Sequence, residues 1–219
     1  MNKIFKPLFF FKIIFLSLII LSCTKSEKEY YPNGKLKSET SYRCGKKHGP
    51  ALYYFPSGKL EIKMDYKKDM LDGTYERFNA QGVRIESISY SNNLRNGKSI
   101  KYYDSGKILS LATFSNDTLD GLYEEYYENG IARVSGQYSK GLYSGRWEYT
   151  NSLGLNAGYG EFTNGSGKQI AFHEGTGNIR VEVNYVNNEK DGEEIWYDNN
   201  NNIEKIIVYK EGKIVEFKK

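Results

Sequence analysis

The stretch Asp72-Gly73-Thr74-Tyr75-Glu76-Arg77-Phe78-Asn79-Ala80-Gln81-Gly82-Val83-Arg84-Ile85-Glu86-Ser87-Ile88-Ser89-Tyr90 decides the fold. It holds two β-prone runs, 74–79 and 83–90, joined by a short turn that closes on Gly82. Elsewhere the same turn position is filled by Asn33-Gly34, Ser57-Gly58, Ser105-Gly106 and Asn129-Gly130, pairs that tolerate positive φ in a tight hairpin. Along the second run, residues two apart share a face. In the second unit that face is Leu60, Ile62, Met64 and Tyr66, and the opposite face is Lys59, Glu61, Lys63 and Asp65. The seventh unit repeats the apolar face with Ile179, Val181, Val183 and Tyr185. Period-2 alternation with one dry and one wet side predicts strands. No stretch shows the spacing of a sustained amphipathic helix.

Working outward, the hairpin recurs on a fixed clock. One glycine series reads Gly34, Gly58, Gly82, Gly106, Gly130 and Gly154, every 24 residues, continuing at Gly177, with Asn201 in the next place. A second reads Gly49, Gly73, Gly97, Gly121 and Gly145, then Gly167 and Gly192. Each second-series glycine lies 15 residues after its partner in the first, except in the sixth unit, where the spacing is 13. The aromatics keep time. Tyr42, Tyr66, Tyr90, Phe114, Tyr138, Phe162, Tyr185 and Tyr209 follow the first series, and Tyr54, Phe78, Tyr102, Tyr126, Phe172 and Tyr197 follow the second, with Thr150 where the sixth unit should carry a ring. Such self-similarity marks a repeat architecture. Connections such as 67–73 are polar and end in Asp-Gly, so successive hairpins must be neighbours. The expectation is an all-β, elongated and curved single antiparallel sheet of about eight tandem 24-residue hairpins over residues 30–217. Its sixteen strands would span roughly 75 Å.

The chain has 219 residues and a formal charge of +4, but the excess sits at one end. Residues 1–22 hold Lys3, Lys6 and Lys12 and no acid; taking three from 31 basic residues leaves 28 against 27 acidic. A near-neutral body lacks the basic stripe of a phosphate-backbone reader, so nucleic acid is not an expected partner. Two Cys and two His are too few for a Cys/His metal site, and neither a metal nor a cofactor is expected. The run Ile13-Ile-Phe-Leu-Ser-Leu-Ile-Ile-Leu21 behind those lysines predicts an export signal over 1–22. It ends at Ile20-Leu21-Ser22-Cys23, which resembles a bacterial lipobox. The resemblance implies cleavage before Cys23, thioether lipidation of its sulfur and acylation of the new amino terminus. Two or more acyl chains on one residue anchor a protein stably. Residues 23–29 are then a short polar tether. Cys44 would remain as a lone thiol, which excludes an intramolecular disulfide.

Units such as Asp120-Gly121-Leu122-Tyr123-Glu124-Glu125-Tyr126-Tyr127-Glu128-Asn129-Gly130 resemble the MORN repeat, in particular its bacterial variant. The likeness runs over nearly all of residues 30–212, although the second strand lacks the regular Gly-x-Gly of the core pattern. It implies hairpin arrays that act as scaffolds for proteins or lipids, and some bacterial members are described as antitoxin-like.

No catalytic constellation emerges. Gly165-Ser166-Gly167-Lys168 lacks the first glycine and the final Ser/Thr of a phosphate loop, and Gly158-Tyr159-Gly160 lacks the third glycine of a dinucleotide site. Glu124-Glu125 and Glu193-Glu194 are adjacent in strands, so each pair points to opposite faces. The sixth unit is irregular, with Trp147, Tyr149, Tyr159 and His173 nearby as candidate binding residues. Two readings are open: a bend that presents these side chains to a ligand, because local rules break at functional sites, or a decayed repeat that only kinks the sheet. The sequence therefore predicts a non-enzymatic, lipid-anchored scaffold of the bacterial envelope, at the periplasmic or surface face of the outer membrane, binding a protein. The rival expectations are an immunity or antitoxin-like protein and a carbohydrate or peptidoglycan binder.

Overall fold

The computed structural model describes residues 23–218, so residues 1–22, where an export signal is expected, lie outside the described residues. Seventeen strands follow one another: β1 (Thr24–Tyr30), β2 (Leu36–Arg43), β3 (Lys46–Tyr54), β4 (Leu60–Lys67), β5 (Met70–Phe78), β6 (Arg84–Ser91), β7 (Leu94–Tyr102), β8 (Ile108–Ser115) and β9 (Thr118–Tyr126). The series continues with β10 (Ala132–Ser139), β11 (Leu142–Thr150), β12 (Asn156–Thr163), β13 (Ser166–Phe172), β14 (Ile179–Val186), β15 (Glu189–Tyr197), β16 (Ile203–Lys210) and β17 (Lys213–Phe217). Each pairs antiparallel with its predecessor and successor, so the chain is one open meandering sheet. No helix occurs among the described residues.

The two glycine series do different jobs. First-series glycines close hairpins: the Gly34 N–H donates to Tyr31 O, the Tyr31 N–H donates to Lys35 O, and Gly34 has φ 79°. Second-series glycines lie inside strands and not in turns. The connection expected over 67–73 shrinks to the pair Lys68-Asp69, both at positive φ, and β5 already begins at Met70. Seven further two-residue turns repeat this left-handed pair, the geometry that suits the twist of flanking strands. Gly73 instead occupies a bulge, because Met64 pairs Tyr75 while Tyr66 pairs Leu71. Two steps along β4 thus span four along β5, which keeps the side-chain alternation intact. The same two-residue excess recurs in β3, β7, β9, β11 and β15. It is missing between β12 and β13, where residues pair one for one. The shortening from 15 to 13 residues is the loss of this bulge.

Pairing also explains the aromatic clock. Tyr66, Tyr90, Phe114, Tyr138, Phe162, Tyr185 and Tyr209 stand directly opposite Gly49, Gly73, Gly97, Gly121, Gly145, Gly167 and Gly192. They share a face with the row Ala51, Met64, Tyr75, Ile88, Ser99, Ala112, Tyr123 and Gly136. The second aromatic series, including Phe78 and Tyr102, falls on the other face with Glu76 and Ile100. The division into one dry and one wet face is therefore corrected: both carry rings, because a single layer has no partner layer to receive them. Burial is uneven, and the most buried apolar side chains are Ala51, Trp147, Phe162, Val181, Val183 and Ile207.

The amino-terminal end also departs from expectation. Residues 24–30 are not a free tether but strand β1, exposed along its whole length and paired with β2 from Thr24↔Arg43 onward. Cys44 is not a lone thiol either: its sulfur is bonded to that of Cys23, with Cα atoms 5.0 Å apart, and its N–H donates to Cys23 O. The strand register places the two cysteines opposite each other, which sequence spacing alone did not reveal.

A methyl group tests the packing directly. A Cβ at Gly136 would lie 2.2 Å from the Trp147 ring, whereas one at Gly82 meets nothing within 4 Å. Gly136→Ala should lower unfolding stability by about 2–3 kcal/mol, and Gly82→Ala by about 1 kcal/mol from its φ alone, as read from urea midpoints.

Candidate functional site

Two glycines leave room for rings in the irregular region: Gly136 on β10 beneath Trp147, and Gly160 on β12 beneath Phe162. Trp147 pairs across the ladder with Gly160 and sinks onto Gly136 until it is 3% exposed. Its ring meets Tyr123, Tyr138 and Tyr143 at centroid distances of 5.8, 5.1 and 4.9 Å, and Tyr143 meets Phe162 at 5.2 Å. Edge-on and tilted contacts at such distances add to area burial. Burial raises the pKa of the Tyr149, Tyr138 and Tyr123 phenols, Tyr123 also through its hydrogen bond to Glu125. Trp147 and Tyr149 are thus packing residues of the best-buried part of the sheet. Trp147 is withheld from solvent because Gly136 leaves room for its ring, whereas Tyr149 is half-buried and lines a shallow recess with Thr150 and Gly158.

Tyr159 pairs Glu148, one residue out of phase with Trp147, and so lies on the opposite face. There it meets Phe172 at 6.2 Å, with the Arg146 guanidinium 4.5 Å from its ring centre. His173 occupies a corner position used elsewhere by tyrosine. Tyr31, Tyr103 and Tyr127 donate their hydroxyls to the carbonyls of Tyr54, Tyr126 and Thr150, tying each hairpin to the next. His173 Nε2 lies 2.8 Å from Tyr197 O, which can only accept, so the imidazole donates and makes the same tie. The four candidates therefore do not converge on one site.

What the region does contain is space. Thr150 stands where other units carry an aromatic, and its hydroxyl donates to Ala132 O. Beside it an open groove of about 390 Å³ is lined by Asn151, Leu155, Asn156, Phe172, Glu174 and Arg180, together with His173. Leu153 and Leu155, at the adjoining turn, are 73% and 56% exposed. The residues that sequence reasoning missed here are Leu155, Asn156, Glu174 and Arg180. Thr150, next to Asn151, was the available signal, since it interrupts a regular row of rings.

The shortened unit is braced from the turn edge. In regular units a turn carboxyl or amide oxygen accepts from a backbone N–H one unit earlier, as Asn93 Oδ1 does from Leu71 and Asp69 Oδ1 from Lys47. Gly165 has no side chain for this role. Asn188 supplies it from one unit further along, accepting from the Tyr143 N–H and donating its amide to Gly141 O.

A family model described as the MORN repeat variant matches residues 25–43, 47–68, 95–116, 119–140 and 190–211. Five of the hairpins thus match the MORN repeat variant, which is what this chain is similar to. Each match covers one odd strand and the even strand after it, and residues 141–189, which include the bulge-free pairing, fall outside the matches. MORN repeats are in general non-catalytic modules that bind proteins or membranes. No curated protein matches the chain.

One charge is buried within the last matched hairpin region. Glu194 is 3% exposed and accepts from Lys190 and from the Trp196 indole, 2.6 Å away. Burial pushes its carboxyl up, but the two donors outweigh this and hold it below the usual carboxylate range. Its stabilisation is complete above the unfolded pKa and is lost as pH falls through the lower folded value. Acid unfolding curves of Glu194→Gln should be flatter than wild type below about pH 4. Trp147→Ala should cost about 3–5 kcal/mol of stability, whereas Tyr159→Ala should cost less than half of that, both by chemical denaturation.

Proposed function

We propose that the protein is a non-enzymatic scaffold, anchored by lipid on Cys23 to the bacterial cell envelope at the outer membrane, that binds another protein along its sheet. The observation that carries this reading is the open single layer: no other described element covers either face of the MORN-variant array. The groove beside Asn151, mixed polar and apolar in its lining, with Leu153 and Leu155 projecting next to it, suits a protein partner. The anchor reading draws support from Cys23 ending a lipobox-like segment and sitting one residue before β1. A thioether and the Cys23–Cys44 bond use the same sulfur and exclude each other, so the anchored protein carries a free Cys44 thiol.

Two measurements check these points. Cells labelled with palmitate should give a labelled protein whose Cys44 reacts with maleimide, and Cys23→Ala should abolish the label and leave an unprocessed or released chain. A labelled Cys23→Ala protein removes the anchor. In crosslinking and pull-down from intact cells, Leu153→Asp with Leu155→Asp should lose the protein partner while melting as wild type does. Retention on peptidoglycan beads that depends on Tyr159 or Phe172, without any protein crosslink, would replace the scaffold by the glycan reading.

A further inference from the structure

The two-residue turns lie along one edge of the sheet, and their charge is lopsided. The first two turns with their flanking residues read Arg43-Cys44-Gly45-Lys46 and Lys67-Lys68-Asp69-Met70, four cations against one acid. The next five, beginning at Ser91, Ser115, Ser139, Thr163 and Val186, carry Lys140 as their one cation. At the far end Lys210 is tied to Asp191. Among the described residues, Arg43, Lys46, Lys67 and Lys68 form no ion pair, although fourteen pairs occur elsewhere. The one acid, Asp69, is already engaged by the Lys47 N–H. Arg43, Lys46 and Lys68 line an open cavity of about 500 Å³ together with Cys44 and His48. These cations meet because one repeat of 24 residues places 43 beside 67 and 44 beside 68 on neighbouring turns.

We infer that this basic corner of the sheet is a docking surface for an anionic bilayer, with Arg43, Lys46, Lys67 and Lys68 set against headgroup phosphates. The inference rests on the lipid-anchor reading for its geometry. Cys23 stands opposite Cys44, in the first of the two basic turns, and strand β1 leaves no tether between anchor and sheet. Acyl chains on Cys23 would leave the protein at the very corner where the unpaired cations project. The anchor then fixes an orientation as well as an attachment: the turn edge of the first hairpins lies on the membrane, and the array with its sixth-unit groove extends away from it. Electrostatic attraction of such residues acts within about one Debye length of the surface, roughly 8 Å at physiological salt.

The test uses the full chain bound to vesicles, with lysine acylation read by mass spectrometry. Lys46, Lys67 and Lys68 should lose reactivity on vesicles of phosphatidylcholine with phosphatidylglycerol by about fivefold or more, as one surface-held cation implies, while Lys101 and Lys213 keep theirs. On phosphatidylcholine alone none of them should be protected. Lys46→Glu with Lys68→Glu, both exposed in the fold, should weaken the gain in flotation given by phosphatidylglycerol by more than about tenfold and leave melting unchanged. Equal reactivity on the two vesicle types overturns the proposal. So does equal protection by inorganic phosphate or soluble polyphosphate without vesicles, which would make the corner a site for free phosphate. Because the palmitate label is read without vesicles, failure here leaves that result standing, and the flotation gain given by phosphatidylglycerol can be read on a chain without lipid if the palmitate result fails.

Discussion

Everything in this molecule follows from the ladder that joins each strand to the next. A sheet without a second layer has nothing to pack against, so each aromatic must find cover within its own face. A glycine stands directly opposite each ring: Tyr66 across from Gly49, Tyr90 from Gly73, Tyr185 from Gly167. In the regular units that glycine also carries the positive φ of the bulge, as at Gly73 with φ 132°, where a Cβ would come within 2.8 Å of Asp65 Cβ. One residue type thus serves two constraints, a left-handed backbone and room for the neighbouring side chain on the adjacent strand, which is why the sequence holds glycine to a strict period.

The sixth unit shows how the array tolerates losing that device. Removing two residues removes the bulge but leaves the face alternation unchanged, since the side-chain period is two. Local cover is then rebuilt from other parts. Gly136 lets the Trp147 ring lie flat and Gly160 the Phe162 ring, while Asn188 reaches back across the turn edge to Gly141 and Tyr143. The irregular region is accordingly the best-packed part of the sheet on one face. On the other face a groove opens between the turn at Asn151–Leu155 and the corner at Phe172–Gly175.

Orientation matters for such a molecule more than for a compact domain. An open ribbon of about 75 Å presents different chemistry at its corners, faces and ends. Unpaired cations gather at the corner beside Cys23, exposed leucines sit in the sixth unit, and the terminal strand β17 exposes Ile214, Val215 and Phe217. A fixed attachment at one corner would decide which of these meets a bilayer and which meets a partner. The same sulfur that would carry lipid bonds to Cys44 in the structure, so anchorage and the disulfide are alternative states of one position.

Fold class, unit length, hairpin pairing and the place of the irregularity could be read from the sequence. Turn residues and alternation are local, and a period repeated eight times averages out local ambiguity. The roles of particular residues could not be read so far. Second-series glycines looked like turns because Asp-Gly favours turns, yet neighbouring strands draw them into bulges. The sequence leaves open whether Trp147 and Tyr149 meet a ligand or pack, because nothing in their own segment covers them; the Trp147 ring fits against Gly136, a strand away. Residues 23–29 looked like a tether because they are charged and polar, yet the free edge of β2 pairs with 24–30 as strand β1. Backbone preference is encoded within a few residues, whereas burial, facing and pairing depend on which strand lies alongside, and that is settled only when the ladder closes.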